Sequence, residues 1–285
     1  MEQLEAILGA KPKLPRTPLG CPVPFVEFEF EETLPADLGP FEEYCRQNKL
    51  RVSRYRRQWY SNAEIEATEF FFLADETIHN NTSASATQYT RAGVCPNCGV
   101  GLRPTEPLIL KFDRRTTKKM FCVDLMQSIA WIIAAELSEL FKDFSGFHFG
   151  AVCAPEGSKQ TPLDLKRIVI EDYLPRMATI TNFQEYDPPM KNRCSCNRAG
   201  WRLSDETIYE RSALRDAKDF NLTVERWYGG GIAGLNWPIV SQRVRRVILD
   251  NKLLRPGCFR PVRIIERDPG TQHKFDLPLD TPVQQ

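Results

Sequence analysis

Cys95-Pro96-Asn97-Cys98-Gly99 is the stretch around which this chain is organised, and Cys194-Ser195-Cys196 is its later, imperfect echo. Pro96 fixes φ and Gly99 accepts backbone conformations that other residues resist, so the pentapeptide suits a tight turn aiming both thiolates at one ion. Two such turns brought together would make Cys95, Cys98, Cys194 and Cys196 a closed, tetrahedral four-thiolate zinc site, structural rather than catalytic. The first pair carries the stronger signal, because C-x-C is a less usual knuckle. The competing reading is that all four are reduced thiols, two of them merely packed.

Working outward, each cysteine turn opens a run of similar layout. After the first, Leu108–Phe112 reads as a strand. Ser128–Phe141 reads as a helix, because Ile129, Ile132, Ile133, Leu137, Leu140 and Phe141 recur at helical spacing behind a Ser128 N-cap. Phe144–Val152 then reads as a glycine turn and a buried strand. After the second pair, Thr223–Tyr228 reads as a strand and Gly229-Gly230-Gly231 to Gly234 as a flexible turn. A helix is expected from Ser241, with Val244, Val247 and Ile248 apolar and Arg243, Arg245 and Arg246 largely on its solvated side. Arg255–Val262 repeats the glycine turn and strand. Residues 95–152 and 194–262 are therefore either diverged copies of one knuckle–strand–helix–strand plan or unrelated runs of similar layout.

The fold class expected is α+β, with mixed or antiparallel sheets, a few packed helices and two diverged modules joined by a zinc-ribbon-like site. Residues 1–24, rich in proline, read as an extended lead-in. Residues 25–90 form a strand-rich region: Phe25–Phe30 alternates apolar and acidic residues, Leu38–Lys49 suits a short helix, and Leu50–Tyr60 and Glu69–Leu73 suit strands. Its polar end, Asn80–Thr90, reads as a loop or boundary. The first cysteine module occupies 91–160. Residues 161–193 form a linker, opened by a helix with Pro162 at its first position. The second module occupies 194–267, and 268–285 reads as a frayed tail.

Composition narrows the function. A net charge of +1 gives no global drive toward nucleic acid or a membrane. The most apolar run, Ile129–Leu140, carries Glu136 and Glu139 and is too short to span a bilayer. Nine cysteines without small-domain spacing fit reduced thiols and metal, hence a cytoplasmic protein. Cys122, Cys153 and Cys258 read as core filling. The three histidines stand apart, His148 as a packed or surface residue and His79 and His273 as solvated ones. With no hydrolytic or phosphate-cradling motif present, a non-enzymatic protein is expected.

Arg51, Arg54, Arg56 and Arg57 interleave with Tyr55, Trp59 and Tyr60, which allows either a nucleic-acid platform or an edge strand with a solvated arginine face. The near-neutral total charge favours the edge strand. In a protein-binding surface the candidate anchors are Arg54, Arg57, Trp59 and Tyr60.

C-P-N-C-G at 95–99, the cysteine pair at 194–196 and a closing module together resemble the bacterial double-CXXCG motif proteins. That module runs from Ile239-Val-Ser-Gln-Arg-Val244 through a helix to Gly257-Cys-Phe-Arg-Pro-Val262, and the likeness covers about residues 90–265. The second pair departs from the pattern, being C-S-C-N-R-A-G rather than C-x-x-C-G. The resemblance implies a cytoplasmic immunity protein that binds and neutralises a cognate protein toxin, with structural zinc and no catalytic residues. The alternative, from the cysteine turns, the 50–60 stretch and Arg114, Arg115, Lys118 and Lys119, is a zinc-ribbon nucleic-acid-binding protein.

Overall fold

The computed structural model describes residues 43–44, 46–47, 60–73, 87–90, 94–95, 101–111, 120–125, 128–156, 159–185, 201–203, 206–226 and 236–270. The chain divides into two units, Met1–Arg54 and Tyr55–Gln285. In the first, Glu43, Tyr44, Arg46 and Gln47 are helical, as Leu38–Lys49 predicts, and Arg46 Nε donates to Glu43 at 2.9 Å. The strand expected at Phe25–Phe30 lies outside the described residues. So does the one at Leu50–Tyr60 except for Tyr60, which is not in a strand.

In the second unit, helix α1 (Asn62–Ala67) leads into β1 (Phe70–Leu73). A capping box starts α1: the Ser61 hydroxyl accepts the Glu64 N–H while the Glu64 carboxylate accepts the Ser61 N–H. A small hairpin follows, β2 (Tyr89–Thr90) with β3 (Arg103–Pro104). Next come β4 (Leu108–Ile109), β5 (Phe121–Leu125), β6 (Ser128–Ala134), β7 (Phe147–Glu156) and β8 (Lys159–Ile170). A second hairpin pairs β9 (Phe183–Glu185) with β10 (Trp201–Leu203). The chain ends with β11 (Ile208–Glu210), β12 (Phe220–Leu222), β13 (Pro238–Ser241), α2 (Gln242–Asp250), β14 (Phe259–Pro261) and β15 (Arg263–Ile265).

Two main sheets result, one ordered β4-β7-β8-β6-β5 and one ordered β12-β13-β1-β14. They enclose a shared core. Trp131, Ile133, Cys122 and Ile168 come from the first sheet, Phe71, Phe220, Val240 and Phe259 from the second, and Val244 and Ile248 from α2. The opposite face of the five-stranded sheet buries Leu108, Val123, Ala130, Ile132, Val152 and Leu165. The opposite face of the four-stranded sheet buries Phe72, Ile239, Trp237 and Tyr209. The sheets are also joined through the backbone: beyond β8, Asp172 O accepts the Leu222 N–H at 2.7 Å and Leu222 O accepts the Leu174 N–H at 2.9 Å.

The α+β class holds, with sheets predominating. The helix expected over Ser128–Phe141 does not form. Ser128–Ala134 is strand β6, and only Ala135–Phe141 turns, as a 3₁₀ helix. Trp131 pairs across to Cys122 and Ile168, and Ile132 to Phe121 and Arg167. Residues 130–134 of β6 are buried on both faces, so each can be apolar, and an unbroken apolar run satisfies a helical template by accident. Magnitudes decide the outcome: helix propensities differ by about 0.5 kcal/mol per residue, whereas burying an isoleucine stabilises by about 2 kcal/mol.

The linker helix expected from Thr161 is likewise a strand, β8. Pro162 sits opposite Cys153 where the β7–β8 register slips after Ala151, an irregular site that tolerates a residue without an N–H. The first module therefore lacks its helix, and 95–152 and 194–262 do not share one strand–helix–strand plan. The strand expected at Thr223–Tyr228 is shifted: β12 ends at Leu222, and Thr223–Arg226 forms a loop. Asp268, expected in a frayed tail, accepts the Thr179 N–H at 2.7 Å.

Strands β1 and β7 and helix α2 form where the sequence predicts them. Ser241 caps α2 through the Val244 N–H at 3.4 Å, and Val244 and Ile248 are fully buried. Arg245 corrects the expected solvated face, being 7% exposed with its guanidinium stacked 4.9 Å above the Phe71 ring. Cys122, Cys153 and Cys258 are buried.

Candidate functional site

Along the sequence, each cysteine pair falls between two strands that pair antiparallel. In the first, Tyr89 pairs with Pro104 and Thr90 with Arg103, and Gln88 O accepts the Thr105 N–H at 2.9 Å below them. Cys95 lies inside this hairpin and is buried, and Gly101 turns the chain back with φ +104°. Arg103 fixes the hairpin to the end of β8: its guanidinium donates to the Tyr173 hydroxyl at 2.8 Å. In the second, Phe183 pairs with Leu203 and Glu185 with Trp201, with residues 186–200 between them. Cys98, Cys194 and Cys196 lie outside the described residues. Among the described residues no group of three or more His, Cys, Asp or Glu side chains is placed to hold a metal ion.

The closing module of the sequence motif is a single packed unit. Strand β13 lies on one side of β1 and β14 on the other, with α2 between them in the chain. Val240, Val244, Cys258 and Val262 are buried. Ser241 does more than cap α2. Its hydroxyl donates to Asp219 Oδ1 at 2.7 Å, while Asp219 Oδ2 accepts the Ser145 N–H at 3.1 Å. Asp219 thus ties the turn before β7 to the start of α2.

The chain matches no protein-family model, no curated protein and no solved structure.

Of the four proposed partner anchors, only Tyr60 falls among the described residues. Its hydroxyl donates to the Glu206 carboxylate, which also pairs with Arg263 at 3.3 Å. Burial, reinforced by the Glu206 charge, holds the Tyr60 phenol well above its ordinary range. Tyr60 is therefore half-buried and engaged within the fold. Arg54, Arg57 and Trp59 lie outside the described residues.

His148 occupies a more charged setting than its sequence neighbours Phe147 and Phe149 imply. Its Nε2 lies 3.4 Å from Glu106 and its Nδ1 3.6 Å from Glu171, all three side chains being partly exposed. Because the carboxylates flank opposite ring nitrogens, no single ion could use all three groups. The sequence holds one trace of this cluster, Gly150, where an added Cβ would fall 2.3 Å from the Glu106 carboxylate. Arg167 lies opposite Gly150 in the sheet and donates to Pro104 O at 3.3 Å. Glu225 and Tyr209, which sequence spacing does not connect, form a second polar cluster inside the core beside Met177.

Proposed function

We propose that this protein is a cytoplasmic immunity-type binding protein that neutralises a cognate protein toxin, with a structural zinc holding its two cysteine hairpins together. The observation that carries this reading is the placement of the motif residues. Along the sequence each cysteine pair falls between two antiparallel-paired strands, and the V-S…P-V module forms one packed unit around β1. The motif residues of the closing module serve the fold, so toxin recognition belongs to other surfaces. Arg54, Arg57, Trp59 and Tyr60 remain the proposed anchors, and no catalytic residue is assigned. No helix among the described residues is long and apolar enough to cross a membrane.

The zinc-ribbon nucleic-acid reading draws less support. Arg211, Arg245, Arg246 and Arg263 each meet a carboxylate within 3.3 Å. Guanidinium groups already paired in this way have less to gain from phosphate. Arg114, Arg115, Lys118 and Lys119 lie outside the described residues.

Co-expression with toxin domains encoded in the same genome tests the proposal. Rescue from one toxin, with unrelated toxins left lethal, is the expected result, and rescue from none would overturn it. The zinc is tested separately by metal analysis. The full chain is expected to carry near-stoichiometric zinc, and Cys95→Ser, Cys98→Ser is expected to lose it together with folding stability, since structural zinc binding contributes to folding. Equal metal in both proteins would remove the site.

A further inference from the structure

Glu225 follows β12 and is 3% exposed, deep in the core that also holds Tyr209. Its Oε1 accepts the Met177 N–H at 2.8 Å, and its own amide also bonds the carboxyl. Among the described residues its Oε2 has no hydrogen-bond partner, and neither does the hydroxyl of the fully buried Tyr209 on β11. The loop holding Glu225 is otherwise closely tied. Thr223 Oγ1 accepts the Trp237 N–H at 3.0 Å and donates to Glu225 O at 2.8 Å, and Asn236 Nδ2 donates to Thr223 O at 2.7 Å. On the facing side, Ile208 O accepts the Ala178 N–H at 2.8 Å, so the Met177 segment is held against β11.

A carboxylate buried with one oxygen unbonded is costly, and protonation removes most of that cost. A proton on Oε2 leaves the Met177 hydrogen bond to Oε1 intact and turns the unbonded acceptor into a donor. We propose that Glu225 forms a proton-operated latch, which holds the 223–226 loop against the Met177 segment when the carboxyl is protonated and loosens it when the carboxyl ionises. Among the described residues, the charged and titratable groups around it are Arg176 from the Met177 segment, Tyr209 from β11, and Arg226 next in the chain. Burial pushes the carboxyl up to about 7, opposed by the two amide hydrogen bonds and by Arg176. Burial first, and then the Glu225 charge, holds the Tyr209 phenol well above its ordinary range, so Tyr209 stays neutral throughout.

The folded carboxyl titrates above its unfolded counterpart. The closing free energy is therefore complete below the unfolded value of about 4.5, and it is lost as pH rises toward 7. Above 7 the folded group is itself ionised and the loss levels off. This latch is independent of the toxin-binding reading.

The experiment is amide hydrogen exchange of the full chain across this range, corrected for the intrinsic rate, with a ¹³C-glutamate NMR titration. Protection of the Met177 amide is expected to fall about tenfold per pH unit between about 5 and 7 and then level off. The Glu225 carboxyl should titrate near 7 in step with it. Glu225→Gln keeps an acceptor for Met177 and removes the titration, so its protection should be flat over the same range. A wild-type carboxyl that titrates below about 5, or one that titrates near 7 without changing Met177 protection, would overturn the latch. So would an equal pH slope in Glu225→Gln. Should that variant not fold, the wild-type titration and exchange decide alone.

Discussion

Replacing Gly146 by alanine is expected to destabilise the protein by about 4 kcal/mol, near the upper end of single-residue effects. Gly146 turns the chain into β7 with φ +89°, a conformation that costs an L-residue about 1–2 kcal/mol by itself. The larger part is steric. An added Cβ would lie 2.0 Å from Phe220 O and 2.6 Å from Lys218 Cβ. Phe220 cannot easily withdraw, because its N–H is bonded to Ser145 O at 3.0 Å and its ring lies in the shared core. Gly270 supplies the control: it too has positive φ, +70°, but an added Cβ there meets nothing within 4 Å. Urea denaturation of Gly146→Ala beside Gly270→Ala separates the two contributions, with only about 1 kcal/mol expected for the second. Equal losses in the two variants would mean that the contact with Phe220 O is relieved at little cost.

Arg245 supplies the second large effect, and two substitutions distinguish its causes. Arg245→Ala is expected to cost about 3 kcal/mol, since it removes a long side chain packed on Phe71 and opens a cavity beside the shared core. Arg245→Met keeps most of that volume and drops the charge. It should cost less than about 1 kcal/mol, because Glu66 is half-exposed and water can replace the lost pair. The ion pair looks favourable by distance, with Arg245 Nη1 at 3.0 Å from Glu66 Oε1, yet Arg245 Nε is buried without a partner among the described residues. Packing, rather than charge, should therefore dominate. A methionine variant as unstable as the alanine variant in thermal denaturation would reverse that ranking.

The difference between Arg245 and its neighbours shows where sequence patterning reaches its limit. Ser241, Val244 and Ile248 mark the start and apolar face of α2 through local spacing alone, and Phe70–Leu73 is marked by β-favouring residues. Arg245 lies one position beyond Val244 and is drawn inward by Phe71 and Glu66, far away in sequence. Strand β6 fails for a related reason: only the presence of β5 and β8 on its flanks distinguishes a doubly covered strand from an apolar helix. The proposed zinc chemistry of the cysteine motif is read from local spacing alone. The Glu225–Tyr209 cluster is not, because it exists only once the loop after β12, the Met177 segment and β11 have met. Gly150, beneath Glu106, and Gly146, against Phe220, are the positions where such long-range packing leaves a trace in residue choice.

The pairing of β1 has a consequence for how the chain is made. Strands β4 to β8 span Leu108–Ile170, and all five pair among themselves, so that sheet can close while the rest is still being synthesised. Phe70–Leu73 is translated earlier, but its strand partners among the described residues are Ile239–Ser241 and Phe259–Pro261. Among the described strands, these four consecutive large apolar residues find no sheet partner until β13 and β14 have left the ribosome. Non-local pairing of this kind slows folding and exposes the waiting segment to aggregation. Phe70–Leu73 is thus the stretch a chaperone would have most reason to cover, and chains that stop short of β13 and β14 would leave it uncovered permanently.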